Sequence, residues 1–146
     1  LKADDALWRG KGPDGEYINK MPFTLTMKDL ERGRDRYNIY CTPCHDKSGG
    51  GKGAVALRSK GMLNPPTFHQ PRLGSMPLGE IYDVITNGSK SQLMYAYRHQ
   101  ITSPKDRWAV VAYIRALQRS QYADRGLIPV AERGAVDAEY QKRQQK

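Results

Sequence analysis

Cys41-Thr42-Pro43-Cys44-His45 sets two thiols three positions apart, with an imidazole directly behind the second. Thiols at that spacing reach the vinyl groups on neighbouring edges of a porphyrin. The histidine that follows is then placed under the iron as its proximal ligand. The chemistry open to this pentapeptide is covalent attachment of one c-type haem through Cys41 and Cys44, with His45 on the metal. Other uses of a cysteine pair fit less well. A dithiol redox pair opens a helix in a βαβ setting, and no Val/Ile-rich strand runs flank Cys41. Structural zinc asks for four closely spaced ligands, whereas the remaining histidines, His69 and His99, stand far apart in the chain. A disulfide would leave His45 without a purpose. These are the only two cysteines in the chain, so no other thiol chemistry competes for them.

An iron that only exchanges electrons wants a sixth ligand that stays bound in both oxidation states. A thioether sulfur favours the ferrous form and raises the potential relative to a second histidine. The downstream candidates are Met62, Met76, Met94, His69 and His99. Met94 stands first, because it lies in a long loop between the last two predicted helices that can fold over the far face of the ring. His99, in the same loop, is second. Met76 is third, and its ordinary reading is a gap-filling core residue. On the near side, the second ring nitrogen of His45 needs an acceptor to orient it. A backbone carbonyl in the stiff Asn64-Pro65-Pro66 run can provide one, which makes Pro65 and Pro66 candidate haem contacts. The alternative is that these prolines only shape the loop. Tyr82, Tyr95, Tyr97 and Trp108 can wall the haem or serve as ordinary core. Arg58, Arg72 and Arg98 can pair with propionates or simply face solvent.

The elements that must position these groups follow from pattern. Thr26-Met27-Lys28-Asp29 reads as a capping-box start. Leu30, Gly33, Tyr37 and Tyr40 then share one face of a helix that runs into Cys41. Gly33 costs that helix about 1 kcal/mol relative to Ala, and close approach of a second helix would explain it. Lys47 to Gly53 carries four glycines and reads as a loop, and Val55 to Arg58 as one helical turn. A helix from about Leu78 to Thr86 stops at Asn87-Gly88. Ser103 caps the last helix with Pro104 at its first position, and Trp108, Val110, Val111, Ile114 and Leu117 form its apolar face. No strand and no internal repeat is evident.

The chain divides into an irregular extension over 1–25, a haem domain over 26–120 and a polar tail over 121–146. With 38% hydrophobic residues and a mean hydropathy of −0.74, the side chains are lean for a core of this length. A haem face would supply what they lack. Of the net charge of +9, the central segment carries +8. A basic surface around a redox centre steers acidic partners, and nucleic acid is not expected as a partner. No stretch approaches the roughly 20 apolar residues of a membrane span. No signal peptide is visible at the polar start, so the chain reads as processed or truncated. Covalent haem attachment takes place outside the cytoplasm, so export is expected, with a lipid anchor possible upstream. No carboxylate pair or activated nucleophile stands beside the haem motif, and a catalytic site of the chain's own is not expected.

Helix, Cys-x-x-Cys-His, proline loop, helix, methionine loop and closing helix together resemble the class I cytochromes c over about Thr26 to Gln118. The resemblance implies an all-α fold of three to five helices around one haem, with the first and last helices crossing closely at Gly33. It also implies axial ligation by His45 and Met94, although the family's methionine is often followed by proline where this chain has Tyr95. Leu30 to His45, Asn64-Pro-Pro-Thr-Phe-His69, Tyr82 to Gly88 and Asp106 to Leu117 are more narrowly similar to the monohaem subunit of bacterial alternative complex III. That likeness implies one-electron transfer on the periplasmic side of the inner membrane. The donor would be a membrane-bound quinol-oxidising complex, and the acceptor a soluble cytochrome or a terminal oxidase. Membrane contact would come through partner subunits or a lost lipid anchor. A stand-alone or fused cytochrome serving another redox enzyme is the alternative, followed by a gas sensor with an open sixth position.

Overall fold

The computed structural model describes residues 2–121, 126 and 128–144. Two helices organise it. α2 (Met27–Tyr40) opens on a reciprocal cap in which Thr26 Oγ1 accepts from the Asp29 N–H at 3.2 Å and Asp29 Oδ2 accepts from the Thr26 N–H at 3.0 Å. α7 (Pro104–Gln121) starts with Ser103 Oγ accepting from the Asp106 N–H at 3.3 Å. The two helices cross at Gly33, where a Cβ would overlap the carbonyl oxygen of Ala109. The cost of a helical glycine is thus offset by backbone contact between helices. At the rim of the crossing, the Arg32 guanidinium meets Asp106 at 2.7 Å and Lys105 meets Asp29 at 3.4 Å. Both pairs are solvent-facing and worth little each.

α6 (Leu78–Asn87) lies against α7. The core is built on Tyr37, Tyr82, Trp108, Val110 and Val111, all fully buried. Tyr82 stacks on Trp108 with centroids 4.5 Å apart. Buried Arg107 donates to the Tyr82 hydroxyl at 2.9 Å and to the Ile101 carbonyl at 2.6 Å, so its charge ties α7 to the loop before it. Three single-turn helices fill the connections: α3 (Thr42–His45), α4 (Ala54–Arg58) and α5 (Pro71–Gly74).

The architecture is all-α, as expected, and the only β feature among the described residues is an isolated bridge between Lys11 and Tyr17. Those residues hold eight helices against the three to five expected, the surplus coming from the single turns and from the two extensions. The N-terminal extension, expected to be irregular, carries α1 (Lys2–Arg9). A helix of this length is marginal alone. It persists because it is docked: Trp108 Nε1 donates to the Leu7 carbonyl at 2.8 Å. Beyond it, Ile18 bridges to α6 by accepting from the Gly79 N–H at 2.8 Å. The expected polar tail carries α8 (Val130–Gln144), none of whose described side chains is buried. Residues 122–125, 127, 145 and 146 of that tail lie outside the described residues. No helix among those described is long and apolar enough to cross a membrane.

Candidate haem site

α2 delivers the motif almost without interruption. The Cys41 N–H donates to the Tyr37 carbonyl at 2.8 Å, and the His45 N–H to the Cys41 carbonyl at 2.8 Å, so α3 continues the rise with a short break. Residues three apart on a helical turn share a side, and Cys44 lies near enough to Cys41 to affect its thiol. Cys41 is buried, Cys44 is half-buried, and the two are not bonded to each other. Burial, then the neighbouring Cys44, pushes the Cys41 thiol up to about 12. Burial pulls the His45 imidazole down to about 4 against a weaker opposing effect of Asp46. At neutral pH the ring is therefore uncharged and keeps a lone pair for a metal.

A tight loop fixes this ligand from behind. Asp46 adopts a left-handed φ of 56° and turns its carboxylate onto the loop it precedes. That carboxylate accepts from the backbone N–H groups of Ser48 at 2.7 Å, Gly50 at 3.2 Å and Lys52 at 2.8 Å. Burial raises its pKa, but the hydrogen bonds from Ser48, Lys52 and Gly50 outweigh that and hold it at about 2. The buried Tyr37 hydroxyl donates to the Asp46 carbonyl at 2.8 Å. The Gly51 N–H donates to the His45 carbonyl at 3.1 Å. Phe68 stacks on the His45 ring with centroids 4.6 Å apart.

The carbonyl of Pro65 reaches this same loop, against Gly51, where any Cβ would overlap it. It does not reach the imidazole. His45 Nδ1 is buried without a hydrogen-bond partner, so the expected acceptor from Asn64-Pro65-Pro66 is not found. Pro65 is half-buried and Pro66 exposed, and the Pro65 carbonyl presses on the loop at Gly51.

Met94 is half-buried and packs on the cluster that includes Cys41. Its loop is pinned by a reciprocal pair: the Met94 N–H donates to Ser89 Oγ at 3.1 Å and the Ser89 N–H to the Met94 carbonyl at 3.0 Å. Met76 also packs on the core, with its carbonyl held by Arg115. His99 is exposed and sits beside the Arg98 guanidinium. His69 Nε2 lies 2.7 Å from the Ser48 carbonyl oxygen. Met62 is 78% exposed. Tyr97 lies close enough to Cys41 and Cys44 that, after burial, they help raise its pKa. Tyr95 is 80% exposed, whereas Tyr82 and Trp108 are core. Arg98 pairs with the Asn87 side chain at 2.7 Å.

Three participants escaped the sequence reading: Phe68, and Arg115 and Gln118 on α7. Gln118 Nε2 donates to the Phe68 carbonyl at 2.9 Å, while Arg115 donates to the Leu73 and Gly74 carbonyls at 3.1 and 3.0 Å. Together they lash the segment carrying Phe68 to α7. Their signal was a polar residue at a core register, since Gln118 continues the face of Val111 and Ile114.

The residues fit a covalently held haem: two free thiols three positions apart, followed by a neutral, buried imidazole with an orphaned ring nitrogen. Among the described residues, no three His, Cys, Asp or Glu side chains gather into a metal cluster. A family profile described as cytochrome c oxidase, cbb3-type, subunit III, matches residues 28–114, more than half the chain. The chain belongs to this cytochrome c family. No curated protein matches it. A cytochrome c domain of this family binds haem c covalently and carries electrons.

Proposed function

We propose that Cys41 and Cys44 would hold a haem and that His45 and Met94 would be the two protein ligands to its iron. In this reading the protein relays single electrons as the monohaem subunit of a membrane-bound quinol-oxidising complex of the alternative complex III kind. When bound, the haem supplies the one-electron couple. The observation that carries the ligand assignment is the pinned Met94 loop, whose methionine is half-buried on the core cluster that includes Cys41. The competing histidines are on the surface or beside the Ser48 carbonyl.

The segments similar to the alternative complex III subunit are the ones that build the site: α2 with the motif, the proline loop, α6 and α7. The docked N-terminal extension fits a subunit that grips neighbours. The basic central segment, at +8, suits an electron acceptor with an acidic surface, either a soluble cytochrome or a terminal oxidase. Its place is the periplasmic side of the inner membrane, held by partner subunits or a lipid anchor. A second reading, favoured by the family profile, makes it a subunit of a cbb3-type oxidase.

Absorption spectra of the haem-loaded protein test the ligands. A ferric sulfur-to-iron charge-transfer band, unmoved by carbon monoxide on reduction, is expected. It should vanish in Met94→Ala and survive in Met76→Ala. Ready binding of carbon monoxide to the unmodified ferrous protein would favour a sensor instead. Isolation of the intact membrane assembly then separates the readings: quinol oxidation coupled to reduction of a soluble cytochrome supports the proposal, and oxygen reduction by the same assembly supports the oxidase.

A further inference from the structure

The N-terminal extension and the Met94 loop are joined by side chains that neither segment's own sequence announces. Tyr17, in the extension, donates its hydroxyl to Asp83 Oδ2 on α6 at 2.9 Å. The other carboxylate oxygen, Oδ1, accepts from Asn87 Nδ2 at 2.6 Å, one helical turn on. Asn87 is thereby oriented with its amide oxygen outward, and that oxygen accepts from Arg98 NH1 at 2.7 Å. Arg98 stands four residues after Met94 in the same loop, next to Tyr97, whose backbone N–H donates to the Ile85 carbonyl at 2.9 Å.

Each link has one geometry that serves its neighbours. An amide whose nitrogen is committed to Asp83 can offer only its oxygen to Arg98. The Asp83 carboxylate, accepting on both oxygens, makes both of its bonds charge-assisted. Burial, then the adjacent Asp83, pushes the Tyr17 phenol up to about 12, so it remains a donor at neutral pH.

We infer that Tyr17, Asp83, Asn87 and Arg98 form a tether by which the N-terminal extension holds the Met94 loop closed, with Tyr17 as a positioning residue for the distal ligand. The inference rests on the assignment of Met94 as that ligand. Loops bearing ligands belong to the least stable parts of a fold, and a tether that reaches outside the haem domain would set how often this one opens. Tyr17 sits in a segment that a minimal cytochrome would not need, so its contribution to ligation is separable from the core.

Exogenous imidazole binds ferric iron only when the methionine has left, so its affinity reads loop opening directly. With the haem-loaded protein, Tyr17→Phe should tighten imidazole binding about fivefold, the loss of one hydrogen bond's net worth, and Asn87→Ala, which removes two links, by at least as much. Tyr17→Phe combined with Arg98→Leu should exceed the larger single effect only slightly, because the links act as one chain. Arg32→Ala, which breaks a comparable surface pair at the α2–α7 rim, should leave imidazole affinity unchanged. Unchanged affinity in Tyr17→Phe, or an equal gain in Arg32→Ala, overturns the tether. Retention of the charge-transfer band in Met94→Ala overturns the ligand assignment instead, so the two failures are distinguishable.

Discussion

The two sides of the haem site are built differently. Behind His45, one carboxylate organises three backbone N–H groups, a buried tyrosine holds the turn, and the proline loop presses directly on Gly51. Around Met94, the loop is closed by the reciprocal pair with Ser89, by the Tyr97 N–H on the Ile85 carbonyl at 2.9 Å and by the side-chain tether through Arg98. The His45 side is part of the folding core, while the Met94 side, the distal one in the proposed reading, is a loop fastened to it. Backbone contacts that exclude water and leave no slack resist local opening, whereas exposed side-chain bonds trade with solvent at little net cost. The difference matches the roles proposed for them: a ligand next to the two anchoring cysteines gains nothing from movement, and the replaceable sixth ligand needs only to be closed most of the time.

Glycine replacements on the two sides should break this contrast most sharply. Gly51 has φ +81° and a Cβ there would overlap the Pro65 carbonyl, so Gly51→Ala adds backbone strain to a collision with backbone that cannot swing aside. A global loss of about 3 kcal/mol is expected, read as a lowered Tm and a fall in the yield of haem-loaded protein. Gly88 has φ +89°, with the Met94 carbonyl oxygen 2.8 Å from the Cβ position. Gly88→Ala should cost about 1–2 kcal/mol, felt mainly as weakening of the charge-transfer band well below the main thermal transition. If both variants lower the band and the Tm in step, the two sides form one cooperative unit and the contrast fails.

A smaller, pH-dependent effect sharpens the same point. The native Asp46 carboxyl titrates near 2 against an ordinary 3.8. Its hydrogen bonds therefore stabilise the fold fully above about pH 4, and that contribution is lost as pH falls towards 2. Asp46 is only half-buried, so after screening it is worth about 1 kcal/mol. Asp46→Asn should lower stability at pH 7 by that amount and flatten the acid limb between pH 4 and 2 in a urea titration series. An unchanged acid limb would show that the loop owes nothing to the carboxylate.

Much of this was legible in the chain. Thr26 and Asp29 are a local capping device, and Ser103-Pro104 another, so α2 and α7 start where the pattern predicts. The misplaced glycine on α2 foretold the helix crossing, because nothing in an isolated helix rewards Gly33. The extensions were read less well. α1 has too few residues to signal itself and exists through the indole of Trp108, a hundred residues away in sequence. The acceptor expected for His45 was argued from proline stiffness alone, which predicts rigidity but not the direction a carbonyl takes. Phe68, not a proline, lies on the ring.

The chain by itself determined the chemistry, since two thiols and an imidazole at that spacing leave few cofactors to hold, and it determined the helices that carry them, whose caps and apolar registers are local. Only the tertiary structure decided which loop side chains face which: the tether from Tyr17 to Arg98, the lashing of Phe68 by Gln118, and the unpartnered nitrogen of His45. These depend on side-chain directions set where segments remote in sequence meet, and hydrogen bonds are satisfied by position in space, which residue spacing encodes only within a helix or a turn.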